Sequence, residues 1–254
     1  MINKFLFKSS IFRSLYCYLR FIYFIYIKKN YKFIYHDKKS NLNELDLLTL
    51  GYDESSNISP NNYFQKIFEY EKKSLIKEAS NFKNFKKIFS GNRSSLIINP
   101  ILSCGFLDRA KVKVLSIGPR TESEILVLIG NGFHKNNIKS VDLQSYSPLI
   151  DVGDLHNLDF EDSQFDVVIC GWTLAYSYNK QKAASEIIRV SKNNSIISVS
   201  GTYAFNEKGS ITCEKLIHCF EQNIKKIIYN LDYSDFPNHY LRKHSILTFI
   251  SKKN

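Results

Sequence analysis

Lys113–Ile125 reads KVLSIGPRTESEI, an apolar β-branched run that passes through a glycine and a proline into a stretch of helix formers. Gly118 permits a tight turn, Pro119 fixes one φ angle, and Thr121 with Glu124 has the spacing of a capping box. A strand, Lys113–Ile117, that turns at Gly118 into a helix, Thr121–Ile129, is the ligand-binding corner of a parallel α/β sheet. The chain beyond it keeps alternating. Ile138–Asp142 is a short strand ending in an acid, Phe165–Cys170 (FDVVIC) a buried strand, Lys180–Val190 a helix, and Ser195–Ser200 another β-branched run. A helix at Thr212–Phe220 and strands near Ile224–Asn230 and Ser245–Ile250 follow. This alternation predicts a Rossmann-like, doubly wound α/β fold with helices on both faces of a mostly parallel sheet and a ligand at the carboxyl ends of its strands.

The corner's own charges narrow the ligand. A phosphate wants bare backbone N–H groups at a helix N-terminus, but Glu122 and Glu124 place negative charge in that first turn. A dinucleotide's pyrophosphate is disfavoured there, and a ligand bearing a sulfonium and an ammonium group is accommodated better. Asp142, at the end of the second strand, is placed to accept both hydroxyls of a ribose, or to form the turn before Ser145–Pro148. Asp154, in a Gly-Asp loop, could accept from an adenine amino group or cap a turn. Only eleven residues lie between the two acids, too few for a full helix and strand.

The order LSIGPR, SVDL, GDLHNLDFEDSQFDVVICGWTLAY and EIIRVSKNNSII resembles the type 11 group of class I S-adenosylmethionine-dependent methyltransferases, over about Lys111–Tyr203. The resemblance implies a seven-stranded sheet with an antiparallel last strand and S-adenosylmethionine as cofactor. It places Gly118, Pro119 and Arg120 at the methionine part, Asp142 at the ribose, and Asp154 with Leu155 at the adenine. Usual members carry an acid before the turn and three glycines; here those positions are Ser116, Gly118, Arg120 and Glu122. On the acceptor side stand Trp172 and Tyr176, with His156 the candidate base; Trp172 is equally a core residue and His156 equally a structural hydrogen-bonder. No Asn-Pro-Pro-aromatic signature follows the fourth strand, which argues against methylation of nucleic-acid bases. Two functions follow: methylation of a small-molecule, lipid or glycan-type acceptor, or a methyltransferase-like binding module without turnover.

The net charge of +11 is unevenly spread: residues 1–40 hold nine Lys/Arg and one acid, a net +8, leaving +3 for the remainder. The basic surface is therefore an N-terminal arm, and RNA binding through it is the weakest reading. Within the arm, Ile11–Ile27 (IFRSLYCYLRFIYFIYI) carries Arg13 and a central Arg20, so spanning a bilayer is disfavoured by roughly 2.5–3.5 kcal/mol for the arginine at mid-helix. It either lies in a membrane interface or packs on the domain. Residues 41–110 are expected to form a linker and helical extension, with amphipathic helices in Tyr63–Phe89, a stop at Gly91 and a loop over Asn92–Asp108; residues 111–254 form the α/β domain. Five scattered cysteines and six histidines lack ligand spacing, so no metal is expected and a reducing cytoplasm fits.

Overall fold

The computed structural model describes residues 4–33, 79, 85, 88–177, 179–203, 211–232 and 243–253. In chain order its elements are α1 (Ser10–Ile22), β1 (Lys32–Phe33), α2 (Asn92–Leu102), β2 (Val114–Ile117), α3 (Ser123–Gly130), β3 (Ile138–Asp142), β4 (Gln144–Ser145), β5 (Asp151–Val152), β6 (Phe165–Gly171), α4 (Lys180–Val190), β7 (Ser191–Tyr203), α5 (Cys213–Phe220), β8 (Ile224–Asp232) and β9 (Lys243–Ser251). Seven strands form one sheet in the order β5-β3-β2-β6-β7-β9-β8. Parallel pairing runs from β5 to β7, while β9 is antiparallel to both neighbours. The fold is thus Rossmann-like, with one reversed strand near the far edge.

The central strands are buried on both faces, and their side chains divide between two helical layers. Leu115, Val168, Cys170, Ile197, Val199, Leu247 and Phe249 point to one layer, where α4 contributes Ala183, Ala184, Ile187 and Val190 and α5 contributes Leu216 and Phe220. Val114, Val167, Ile169, Ile196 and Ile246 point to the other, beneath α2 and α3. A register shift between Phe165 and Val167 places the extra residues in β7, which runs from Ser191 to Ile196 while β6 advances two. The α4 helix is capped by the Asn179 side chain, which accepts from the Lys182 amide at 3.0 Å. From its last turn Arg189 donates to the Leu158 and Phe160 carbonyls and to Asp162, fastening the loop that leads into β6.

Two expectations are corrected. Asn92–Asp108 is not a loop-rich approach: α2 fills most of it, laying Ile97, Ile98 and Ile101 on the sheet. Gly91, left-handed with φ of 70°, follows the helical residues Ile88 and Phe89, where a stop was expected, and serves also as the N-cap of α2. The capping box at Thr121 and Glu124 does not form either, because Ser116 Oγ donates to Glu124 at 2.6 Å and Glu122 is the N-cap. Most of Tyr63–Phe89 lies outside the described residues. Between β3 and β5 there is no helix, only the two-residue β4, which pairs antiparallel with β1 of the arm.

The arm is packed on the domain. Phe7, Cys17 and Phe21 are buried against Leu126 of α3, Tyr146 and Phe89. Arg13 is buried with them, donating to the carbonyls of Ser90 at 2.6 Å and of Phe7 and Lys8. This second cover explains why α3, apolar on every side, is buried nearly all round.

Candidate functional site

Three strand ends meet at the carboxyl edge of the sheet, and the turn after β2 lies at their centre. Gly118 has φ of 70° and Arg120 φ of 58°, so Arg120 holds a backbone conformation that glycine usually takes. The Gly118 amide donates to Val141 at 2.8 Å, tying the turn to β3, and a β-carbon on Gly118 would run into Thr173 Oγ1. Pro119 is buried beside it.

Asp142 ends β3 directly across from this turn. Its Oδ2 accepts the Arg120 amide at 2.9 Å, and the Leu143 and Gln144 amides bond to it as well. Burial raises its carboxyl to about 6, against the pull of those three amides. The group is still anionic at neutral pH.

The negative charge of the helix start is largely compensated by its surroundings. Glu122 is fully buried and is met by Arg20 of α1, whose Nε and Nη2 lie 2.5 and 2.8 Å from its two oxygens. Ser147 Oγ also donates to Glu122, and the Glu122 amide donates to the Tyr146 hydroxyl at 3.3 Å. Glu124 is buried too; burial raises its carboxyl, opposed by hydrogen bonds from Ser116 and Ser94. A carboxyl group thus stands beside Ser116, at the place where an acid before the turn is replaced in sequence.

On the other side of the edge, Asp154 and His156 form a chain. His156 Nδ1 lies 2.7 Å from Asp154 Oδ1, which also accepts the His156 amide at 2.9 Å. His156 Nε2 lies 2.6 Å from Ser177 Oγ, so both ring nitrogens are engaged. Burial works to raise the Asp154 carboxyl, but the hydrogen bonds from His156 outweigh it and hold it low. Leu155 is turned into the core below. Trp172 has φ of 63° and is buried, donating from Nε1 to His244 Nδ1 at 3.1 Å, with the Arg93 guanidinium 3.9 Å above its ring centre. Tyr176 ends the 3₁₀ turn Leu174–Tyr176.

The structure therefore gathers Gly118, Pro119, Arg120 and Asp142 at one corner, and Asp154, His156 and Ser177 at the next strand end. Residue spacing did not point to Ser177, Thr173 or Arg93, and it pointed to Glu124 as a cap rather than as the partner of Ser116. Arg20 left a signal, a cation in the middle of an apolar run, which the buried carboxylate of Glu122 explains. Among the described residues no group of three or more His, Cys, Asp or Glu side chains could hold a metal ion, and no helix is long and apolar enough to cross a membrane.

Residues 128–199 match the family model described as a methyltransferase domain. That span begins inside α3, after the altered turn, and takes in Asp142, Asp154 and β6. No curated protein sequence matches the chain. Among solved structures, a chain from the complex of the Haloferax volcanii Trm112 methyltransferase activator with a methyltransferase is 11% identical, covered over 91% of its length and 64% of this chain with a TM-score of 0.50. The MccD protein is 15% identical, with 97% of it and 63% of this chain covered and a TM-score of 0.48. A SAM-dependent methyltransferase from Aquifex aeolicus is 11% identical, with 93% and 63% covered and a TM-score of 0.46. Residues 128–199 thus resemble a methyltransferase domain, and the sheet order gives the chain a Rossmann-like methyltransferase fold, with an altered glycine turn.

Proposed function

We propose that this domain methylates a small-molecule, lipid or glycan-type acceptor, with Asp142 binding the ribose of S-adenosylmethionine. The observation that carries the reading is the Asp142 carboxylate at the end of β3, partly buried and set against a turn that keeps its left-handed backbone at Gly118 and Arg120. The donor set fits the cofactor: a carboxylate that retains lone pairs for ribose hydroxyls, a second acid at Asp154, and carboxyl groups rather than lysines at the helix start. When bound, the cofactor supplies a methyl carbon open to in-line displacement, so catalysis rests mainly on holding the acceptor close and aligned. Gly118, Pro119 and Arg120 would hold the methionine end, and Asp154 and Leu155 the adenine end. Trp172 and Tyr176 would border the acceptor. His156 is held from both sides, so a proton leaving the acceptor would reach it only through Ser177 Oγ.

One observation favours the second reading, a binding module without turnover. Thr173 closes on Gly118 where the cofactor's methionine end would approach, and Arg20 seals Glu122 from the arm side. Isothermal titration with S-adenosylmethionine and S-adenosylhomocysteine separates the two readings. Binding that Asp142→Ala weakens at least about tenfold, the loss of roughly one good hydrogen bond to a charged group, supports the first. A folded protein that binds neither ligand sinks it.

A further inference from the structure

The first helix is inside out. Its buried face carries Arg13, Ser14 and Cys17 with Phe21, while Ile11, Leu15 and Leu19 lie on the opposite face, 65%, 50% and 58% exposed. On a helix of 3.6 residues per turn these three sit on one arc, four residues apart, and Tyr23, Tyr26 and Ile27 prolong the stripe at 41%, 51% and 67% exposure. Leu6, 44% exposed, extends it at the other end. A helix that buries an arginine and shows its leucines to solvent has not been patterned for the core of this domain alone.

We propose that this stripe docks on an anionic lipid surface, lying in the interface without crossing it. The charge around it selects the partner. Lys8, Lys28, Lys29 and Lys32 are exposed at its two ends, and no acidic side chain occurs among the described residues 4–33. The tyrosines have the amphipathic rings that suit a headgroup layer, and Lys28 Nζ lies 5.8 Å from the Tyr23 ring centre. Both arginines of the helix turn inward, Arg13 to backbone carbonyls and Arg20 to Glu122, so the stripe itself has no charge at its middle. The inference does not rest on the methyltransferase reading.

The test is flotation of the full-length protein with phosphatidylcholine vesicles and with phosphatidylcholine vesicles containing phosphatidylglycerol. Binding to the anionic vesicles alone, falling as salt is raised, is the expected result. Leu15→Glu and Leu19→Glu should each cut that binding at least about tenfold, because each removes a large apolar side chain from the interface, while the melting temperature stays unchanged. Lys28→Gln/Lys29→Gln should cut it about tenfold or more. Absence of flotation with either vesicle overturns the proposal. So does a concentration-dependent dimer that Leu15→Glu abolishes without vesicle binding, since the stripe would then belong to a second copy of the chain. Equal binding to both vesicles overturns the anionic part.

Discussion

Asp142 is the residue at which the cofactor assignment and the titration meet. Its carboxyl is raised from 3.8 to about 6 by burial, so between these values the folded protein holds a proton that the unfolded chain has released. For folding, the sign follows: this group favours the native state below pH 4 and that contribution is lost as pH rises through about 6. For binding the sign is opposite, because ribose hydroxyls donate to the ionised form. Affinity for S-adenosylhomocysteine should therefore climb as pH rises through about 6 and level off above 7. Calorimetry across that range on the native chain and on Asp142→Asn checks it: the native slope should disappear in the variant. A native affinity flat from pH 5 to 8 would remove Asp142 from the ribose. The acid itself was legible from its place at a strand end. Its hydrogen bond from the Arg120 amide was not, because nothing in the letters shows that arginine adopts a positive φ.

At the scale of elements, strands and helices were legible where one pattern acted alone. Ile138–Asp142 and Lys180–Val190 have the bounds their patterns predict, since a short apolar run ending in an acid and a face of Ala183, Ala184, Ile187 and Val190 each admit one reading. Asn92–Leu102 was not legible, because Gly91, Pro100 and two asparagines speak for loops while three isoleucines on the sheet decide for helix. The start of α3 was misjudged for a related reason: Glu124 has a better partner in Ser116 than in a cap, and Glu122 a better one in Arg20. That last pair joins α1 to α3 across 102 residues of sequence, with the arginine side chain 26% exposed and the glutamate 0%. Arg20→Met should leave an uncompensated buried carboxylate and cost about 3 kcal/mol, roughly 6–12 °C in Tm for a chain of this size. Glu122→Gln in the same chain should restore more than half of the loss, since the amide needs no countercharge. A thermal melt of the four members of this cycle measures the coupling, and an Arg20→Met protein as stable as the native one would show that the pair contributes nothing.

For the molecule as a whole, the question is whether the arm is an appendage or part of the core. The sequence divides at about residue 40, because net charge and aromatic content both change there. The structure joins what composition separates. Phe7 and Phe21 are 6% and 1% exposed against Leu126 and Tyr146, and β1 pairs with β4 beside the β3 end. Burying two phenylalanines contributes about 3–6 kcal/mol, on the order of half the stability of an ordinary domain. To this is added the Glu122 carboxylate, which loses its cation when the arm is removed. A chain beginning after residue 33 should therefore melt far below the full-length protein, or aggregate through the apolar patch left around Leu126, and amide exchange in α3 should quicken most. A shortened chain with the native Tm would make the arm an appendage after all. The same dependence means that truncation confounds any membrane experiment, whereas Leu15 and Leu19, facing away from the core, can be changed without loosening the fold that carries them.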